Sequence, residues 1–271
     1  MHGAMSGKVA LITGAGSGLG RSVALAFARQ GANIVAADFD APRMERTVDE
    51  ILRLGTAEAA IALATDVRSD TSVRSLARSA IKSMGHVDVV VNAAGVLLQG
   101  KLDRITSQDW TWMLDTNLMG AVRTVLAFLP HMTERRSGHL INVVAFGGLH
   151  PENPLTIAYD TGHAALAAFT EGLAHQTTGS GIQVSLFCLG SGSPRIGQNT
   201  RSRGIGRWIG DGAAPQEGMQ AAERLAGVLV DAIHNPRFAI AGDPQDRASV
   251  EQRWGHMDRS PESSGLVSPL K

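Results

Sequence analysis

The feature that most constrains this chain is the run Thr13-Gly14-Ala15-Gly16-Ser17-Gly18-Leu19-Gly20. It follows Val9-Ala10-Leu11-Ile12, an apolar run that predicts a buried strand, and precedes Arg21–Arg29, whose apolar residues recur at helical spacing. The glycines therefore sit at a strand-to-helix turn. Glycine there tolerates positive φ and leaves room for a phosphate to approach the backbone. The free N–H groups and dipole at the start of the helix favour an anion in that space.

The same pattern repeats along the chain. Strands are predicted at Asn33–Ala37, Ala60–Ala64, Val87–Val91, Gly138–Val144, Ile182–Phe187 and Arg237–Ala241. Between them lie predicted helices at 42–54, 69–84, one long helix at 107–132, a helix at 155–178 and one at 219–234. Such alternation implies a parallel sheet covered on both faces, with ligands at the carboxyl ends of the strands. With 271 residues, 44% of them hydrophobic, the chain can build one α/β domain around a large core.

Other classes are disfavoured. Lys and Arg total 25 and Asp and Glu total 25, so no basic footprint for nucleic acid exists. The single cysteine, Cys188, excludes an internal disulfide and suits a reducing cytoplasm. Met1–Ser6 has no signal-like apolar stretch, and no apolar run reaches membrane-spanning length. The nine histidines form neither H-E-x-x-H nor a Cys/His cluster, so no metal is expected.

The loop spacing is T-G-x-x-x-G-x-G rather than G-x-G-x-x-G. With Asn92-Ala93-Ala94-Gly95 and Tyr159, it resembles the short-chain dehydrogenase/reductase family over about residues 7–243. The resemblance implies a single Rossmann-type domain, a parallel seven-stranded doubly wound sheet with helices on both faces. That domain would span 7–257, between an N-terminal tail (1–6) and a loose C-terminal tail (258–271). It also implies a nicotinamide dinucleotide held by Gly14, Ser17, Gly18, Leu19, Gly20, Asn92, Ala93 and Gly95, with Asp66 and Val67 at the adenine. Asp38, closing the second strand, can accept from both ribose hydroxyls and repels a 2′-phosphate. NAD is thus expected over NADP, with Arg43 nearby as a counter-argument. In the family the helices at 107–132 and 155–178 pair subunits, so a homodimer or homotetramer is expected.

The family's reaction uses a tyrosine, a lysine four residues later on the same helix face, a serine and an asparagine. Tyr159, the only tyrosine of the chain, and Asn117 fill two of these places. His163 stands in the lysine place and Ala145 in the serine place, with no serine or threonine between Gly138 and Leu155. A free tyrosine titrates near 10, and a cation about 4 Å away is worth about 4 kcal/mol at an effective dielectric near 20. Histidine, mostly neutral at pH 7, does not supply that push steadily. A Tyr159–His163 relay is one way round the loss.

For the substrate, the resemblance points to the loop carrying His150, Glu152 and Asn153, and to a glycine-rich lid at about 191–218. Ser193 is the candidate to replace the family's nicotinamide-contacting threonine, and Trp208 to cover an apolar or aromatic substrate. Arg195, Arg201, Arg203 and Arg207 suggest a clamp for an anionic group. Three readings stay open: an NAD-dependent oxidoreductase acting on an alcohol or ketone of a small molecule; a non-redox isomerase, dehydratase or cyclase using Tyr159 and His163; and a catalytically silent nucleotide-binding protein.

Overall fold

The computed structural model describes residues 5–151, 153–190, 199–205 and 215–258. The strands of the main sheet are β1 (Val9–Thr13), β2 (Asn33–Asp38), β3 (Ala60–Ala64), β4 (Val89–Asn92), β6 (Gly138–Ala145), β7 (Ile182–Leu189) and β9 (Ala239–Ala241). They lie in the order β3-β2-β1-β4-β6-β7-β9, every pair parallel. Alternate residues serve opposite faces. Ala10, Ile12, Ile34, Ala36, Val89 and Val91 join one core, and Val9, Leu11, Val35, Ala37 and Val90 join the other. That period of two within wholly apolar runs is the mark of a sheet buried on both sides.

Helices α1 (Gly18–Arg29), α2 (Ala41–Leu54) and α7 (Pro215–His234) cover the first face. The second is covered by α3 (Asp70–Met84), α5 (Met119–Arg135) and α6 (Ile157–Gln176). Helix starts follow local chemistry: Asp40 accepts from Arg43 N at α2, and Ser69 from Ser72 N at α3. The short α8 (Arg247–Trp254) buries Trp254, whose indole N–H donates to Glu171.

Three features depart from the sequence reading. The single long helix is two, α4 (Ser107–Asn117) and α5, broken at Leu118. The break arises because the Asn117 carboxamide leaves the helix for the backbone of Val96, while Gly120 lets α5 press on Val67, whose Cγ2 would lie 2.8 Å from a Cβ there. Met5, expected in a tail, is fully buried, and its N–H donates to Gln30 O. A second parallel ladder joins β5 (Leu97–Gly100) to β8 (Thr200–Arg203), so part of the expected lid is a paired strand. No helix among the described residues is long and apolar enough to cross a membrane.

Candidate active site

β1 and β4 are neighbours, yet their onward connections run to opposite sides of the sheet. Their carboxyl ends therefore bound a crevice, the switch point at which α/β sheets hold ligands. The glycine loop forms one wall. Gly14 has φ +71°, and a Cβ there would lie 2.9 Å from Ala94 Cα. A Cβ on Gly20 would collide with the carbonyl oxygen of Gly14. Gly18, at φ +50°, faces open space at the first turn of α1, and the N-cap Ser17 makes no side-chain capping bond. Unspent N–H groups with a cleared approach form a cradle for pyrophosphate.

Asp38 ends β2 beside that cradle. Its Oδ2 accepts from Gly16 N at 2.8 Å and its Oδ1 from Asp40 N at 2.9 Å, which fixes the carboxylate and leaves lone pairs for ribose hydroxyls. Arg43 is paired with Asp40 at 3.0 Å. Asp66 is gripped by Nε and a terminal nitrogen of Arg68, and this hydrogen bonding holds its carboxyl below the usual range. Residues present thus fit an adenosine diphosphate moiety from loop to ribose.

The other half of the crevice is a pocket lined by Thr13, Val67, Asn92, Ala93, Gly95, Asn117, Tyr159 and His163, with apolar side chains such as Val143, Leu166 and Leu189. The structure thus brings together Val67, Asn92, Ala93, Gly95, Asn117, Tyr159 and His163 from five elements or loops. Thr13 was missed as a site residue, although it heads the glycine motif. Its hydroxyl accepts from Ala93 N at 3.1 Å and Ala94 N at 3.2 Å, tying the two loops together. Asn92 donates to Asn142, which donates to Thr170, pinning β4 and β6 to α6.

Tyr159 and His163 share one face of α6, ring centroids 4.3 Å apart and edge to face. No hydrogen bond joins them: both His163 ring nitrogens are buried without a partner. Burial pushes His163 down to about 4, so the imidazole is neutral at pH 7. Burial, with the nearby Asp160 carboxylate, pushes the Tyr159 phenol far above its ordinary value. No cationic side chain lines the pocket among the described residues. The sequence reading missed Asp160, whose burial raises its own carboxyl while Thr156 donates to it at 2.7 Å.

Other expected roles change. The Asn117 side chain clasps the backbone of Val96, Nδ2 donating to Val96 O and Oδ1 accepting from Val96 N, both at 2.8 Å. These bonds tie Asn117 to the loop after β4, and Asn117 also lines the pocket with Tyr159 and His163. His150 is exposed and stacks on Phe146, and exposed Asn153 caps the turn before α6 through Leu155 N. Neither these two nor Ala145 line the pocket. Arg201 and Arg203 do not offer a free anion clamp, because both engage Asp109 and Arg201 also lies over Trp112. Glu152, Ser193, Arg195, Arg207 and Trp208 lie outside the described residues.

The sequence profile of the short chain dehydrogenase family matches residues 8–204. Oxidoreductase UcpA of Escherichia coli is 34% identical over 188 residues, 69% of this chain and 70% of that protein. A short-chain dehydrogenase/reductase from Burkholderia phymatum, solved in complex with NAD, is 30% identical, with a TM-score of 0.76 over 98% of this chain and 99% of its own. L-sorbose reductase from Gluconobacter frateurii, solved with NADPH and L-sorbose, is 28% identical, with a TM-score of 0.66 over 70% of this chain and 72% of its own. The chain belongs to the short-chain dehydrogenase/reductase family. It is an oxidoreductase of that type, on a fold whose relatives bind NAD or NADPH.

Proposed function

We propose that this protein transfers hydride between NAD and an alcohol or ketone of a small organic molecule, with Tyr159 as the proton-transferring group in an Asn-Ala-Tyr-His site. The observation that carries the reading is the convergence of the chain's only tyrosine with Thr13, Val67 and Gly95 in one pocket at the β1/β4 switch point. The preference for NAD is supported by the fixed carboxylate of Asp38, which opposes a 2′-phosphate, and by the pairing of Arg43 with Asp40.

When bound, the nicotinamide supplies or accepts the hydride. The chain's own residues do the rest. Tyr159, protonated at neutral pH, donates a hydrogen bond and then a proton to the carbonyl oxygen. His163, neutral, offers one donor and one acceptor to the hydroxyls of the neighbouring ribose in place of an ammonium. Without that ammonium and without a hydroxyl at Ala145, turnover falls about 10²- to 10⁴-fold below that of a complete acid–base arrangement. The same absences favour a second reading, proton transfer without redox change by Tyr159 and His163.

The exposed Met119 and Leu126 on one face of α5, and Ile157 on α6, support a homodimer or homotetramer, and a cytoplasmic setting suits the lone buried Cys188. Calorimetry with NAD and NADP, followed by reduced-nicotinamide absorbance with a panel of neutral ketones, tests the reading. Binding of NAD with consumption of NADH supports it. Turnover with no change in absorbance selects the second reading, and binding of neither dinucleotide ends the first.

A further inference from the structure

The β5–β8 ladder is not accounted for by cofactor binding, and it closes a ring of contacts around the start of the tyrosine helix. Leu97 pairs with Thr200 through Gly100 with Arg203. The strands fit only with glycine at position 100, where φ is +147° and a Cβ would collide with Arg203 O. Buried Gln99 donates to Ser202 at 2.9 Å. From β8, Arg203 grips Asp109 with a two-pronged contact, 2.9 Å to Oδ2 and 2.6 Å to Oδ1. Arg201 lies 3.8 Å over the Trp112 ring and 3.7 Å from Asp109.

Asp109 is buried, and it also closes the capping box of α4 with Thr106. Arg203 hydrogen bonding holds its carboxyl well below the usual range. At the far end of α4, Asn117 clasps Val96, which leads directly into β5. The ring is therefore β8, β5, Val96, Asn117, α4, Asp109 and back to Arg203. Inside it sits a small apolar cluster of Leu98, Met113 and Ala158. Ala158 is the neighbour of Tyr159, and Gly100 N donates to Leu155 O, just ahead of α6. Gly95, one residue before the clasped Val96, lines the pocket.

We propose that Asp109 and Arg203 form a positioning pair that sets Tyr159 against Gly95 in the pocket, acting through α4, β5 and Ala158. Neither residue touches the pocket. The functional weight of the pair rests on Tyr159 being the reacting group. It follows that Arg201 and Arg203 do not recognise substrate charge: they hold the pocket wall in place.

Because Tyr159 is the only tyrosine, fluorotyrosine incorporation gives a single fluorine resonance that reports its placement alone. Arg203→Lys keeps the charge and loses the two-pronged fork; Asp109→Asn keeps the shape and loses the charge. Both variants are expected to shift or split that resonance, and to lower kcat about 10-fold with the best ketone of the panel. NAD affinity by calorimetry should stay within about twofold, since Asp38 and the glycine loop lie outside the ring. An unmoved resonance in both variants overturns the proposal. So does a loss of NAD affinity in step with kcat and thermal stability, which would mark a general structural defect. Tyr159→Phe separates the two layers: full activity in that variant removes the catalytic reading, while the fluorine shift, read in the proteins that keep Tyr159, still reports on the pair.

Discussion

Acidification from pH 7 to pH 5 should destabilise this protein steeply, through two histidines buried without charge. His139 and His163 are each pushed by burial from 6.5 down to about 4. The unfolded chain binds a proton at each site below about pH 6.5, whereas the folded chain resists until about pH 4, so stability rises with pH across that window. At pH 5 each site costs about 2 kcal/mol relative to neutral pH, or about 4 kcal/mol for the pair, a large part of a domain's usual 5–15 kcal/mol. Asp160, with its carboxyl raised by burial, works in the opposite sense, gaining stability as the pH falls. Asp88 and Asp109, held low, lose theirs only at more acid pH. His139 keeps one contact on protonation, its Nε2 lying 2.8 Å from Ser185 Oγ, whereas His163 has no partner to share a second proton. Urea unfolding followed by tryptophan fluorescence, at one protein concentration and at pH 7, 6 and 5, measures the slope. His163→Gln should remove about half of the pH-dependent loss. A wild-type loss below about 1 kcal/mol, or an unchanged slope in His163→Gln, would refute the neutral burial of His163.

Three further outcomes follow from the site. Alcohol oxidation should keep rising with pH to about 10 and beyond, because the Tyr159 phenol is raised and no ammonium lowers it; a plateau near neutrality in the rate profile would contradict this. Restoring the missing groups with Ala145→Ser and His163→Lys together should raise ketone reduction about 10²-fold or more, read as kcat/KM, and no gain would mean the pocket does not present a nicotinamide to Tyr159. Leu126→Glu, at a position 63% exposed on α5, should shift sedimentation toward monomer without lowering the melting temperature of the monomer, and an unchanged sedimentation coefficient would place any interface elsewhere.

What the sequence made legible was what short-range rules encode. Val9–Ile12 and Ile34–Ala37 are apolar throughout, a pattern that suits a strand buried on both faces. The glycine spacing placed the cradle because Gly14 turns at positive φ and Gly20 packs on the Gly14 carbonyl six residues back. Side-chain commitments across long separations were not legible. Arg203 meets Asp109 across 94 positions, and Asn117 meets Val96 across 21, so an apparent anion clamp became an internal tie and the clasp of Asn117 on Val96 went unseen. His163 illustrates a third limit: its identity was visible, but its charge state depends on burial that only the packed helix reveals. The β5–β8 ladder was hidden because four-residue strands with polar partners such as Thr200-Arg201-Ser202-Arg203 carry no apolar signal.

The placement of α7 has a consequence for synthesis. Leu225, Ala226 and Leu229 pack with Val23 and Phe27 of α1, although some 200 positions separate them. On the ribosome, the first three strands and their helices can emerge and pair well before α7 is translated. Until then, α1 lacks its neighbour α7, and a nascent chain halted ahead of Pro215 leaves the core around Val23 and Phe27 without Leu225, Ala226 and Leu229, apolar surface open to any holdase within reach.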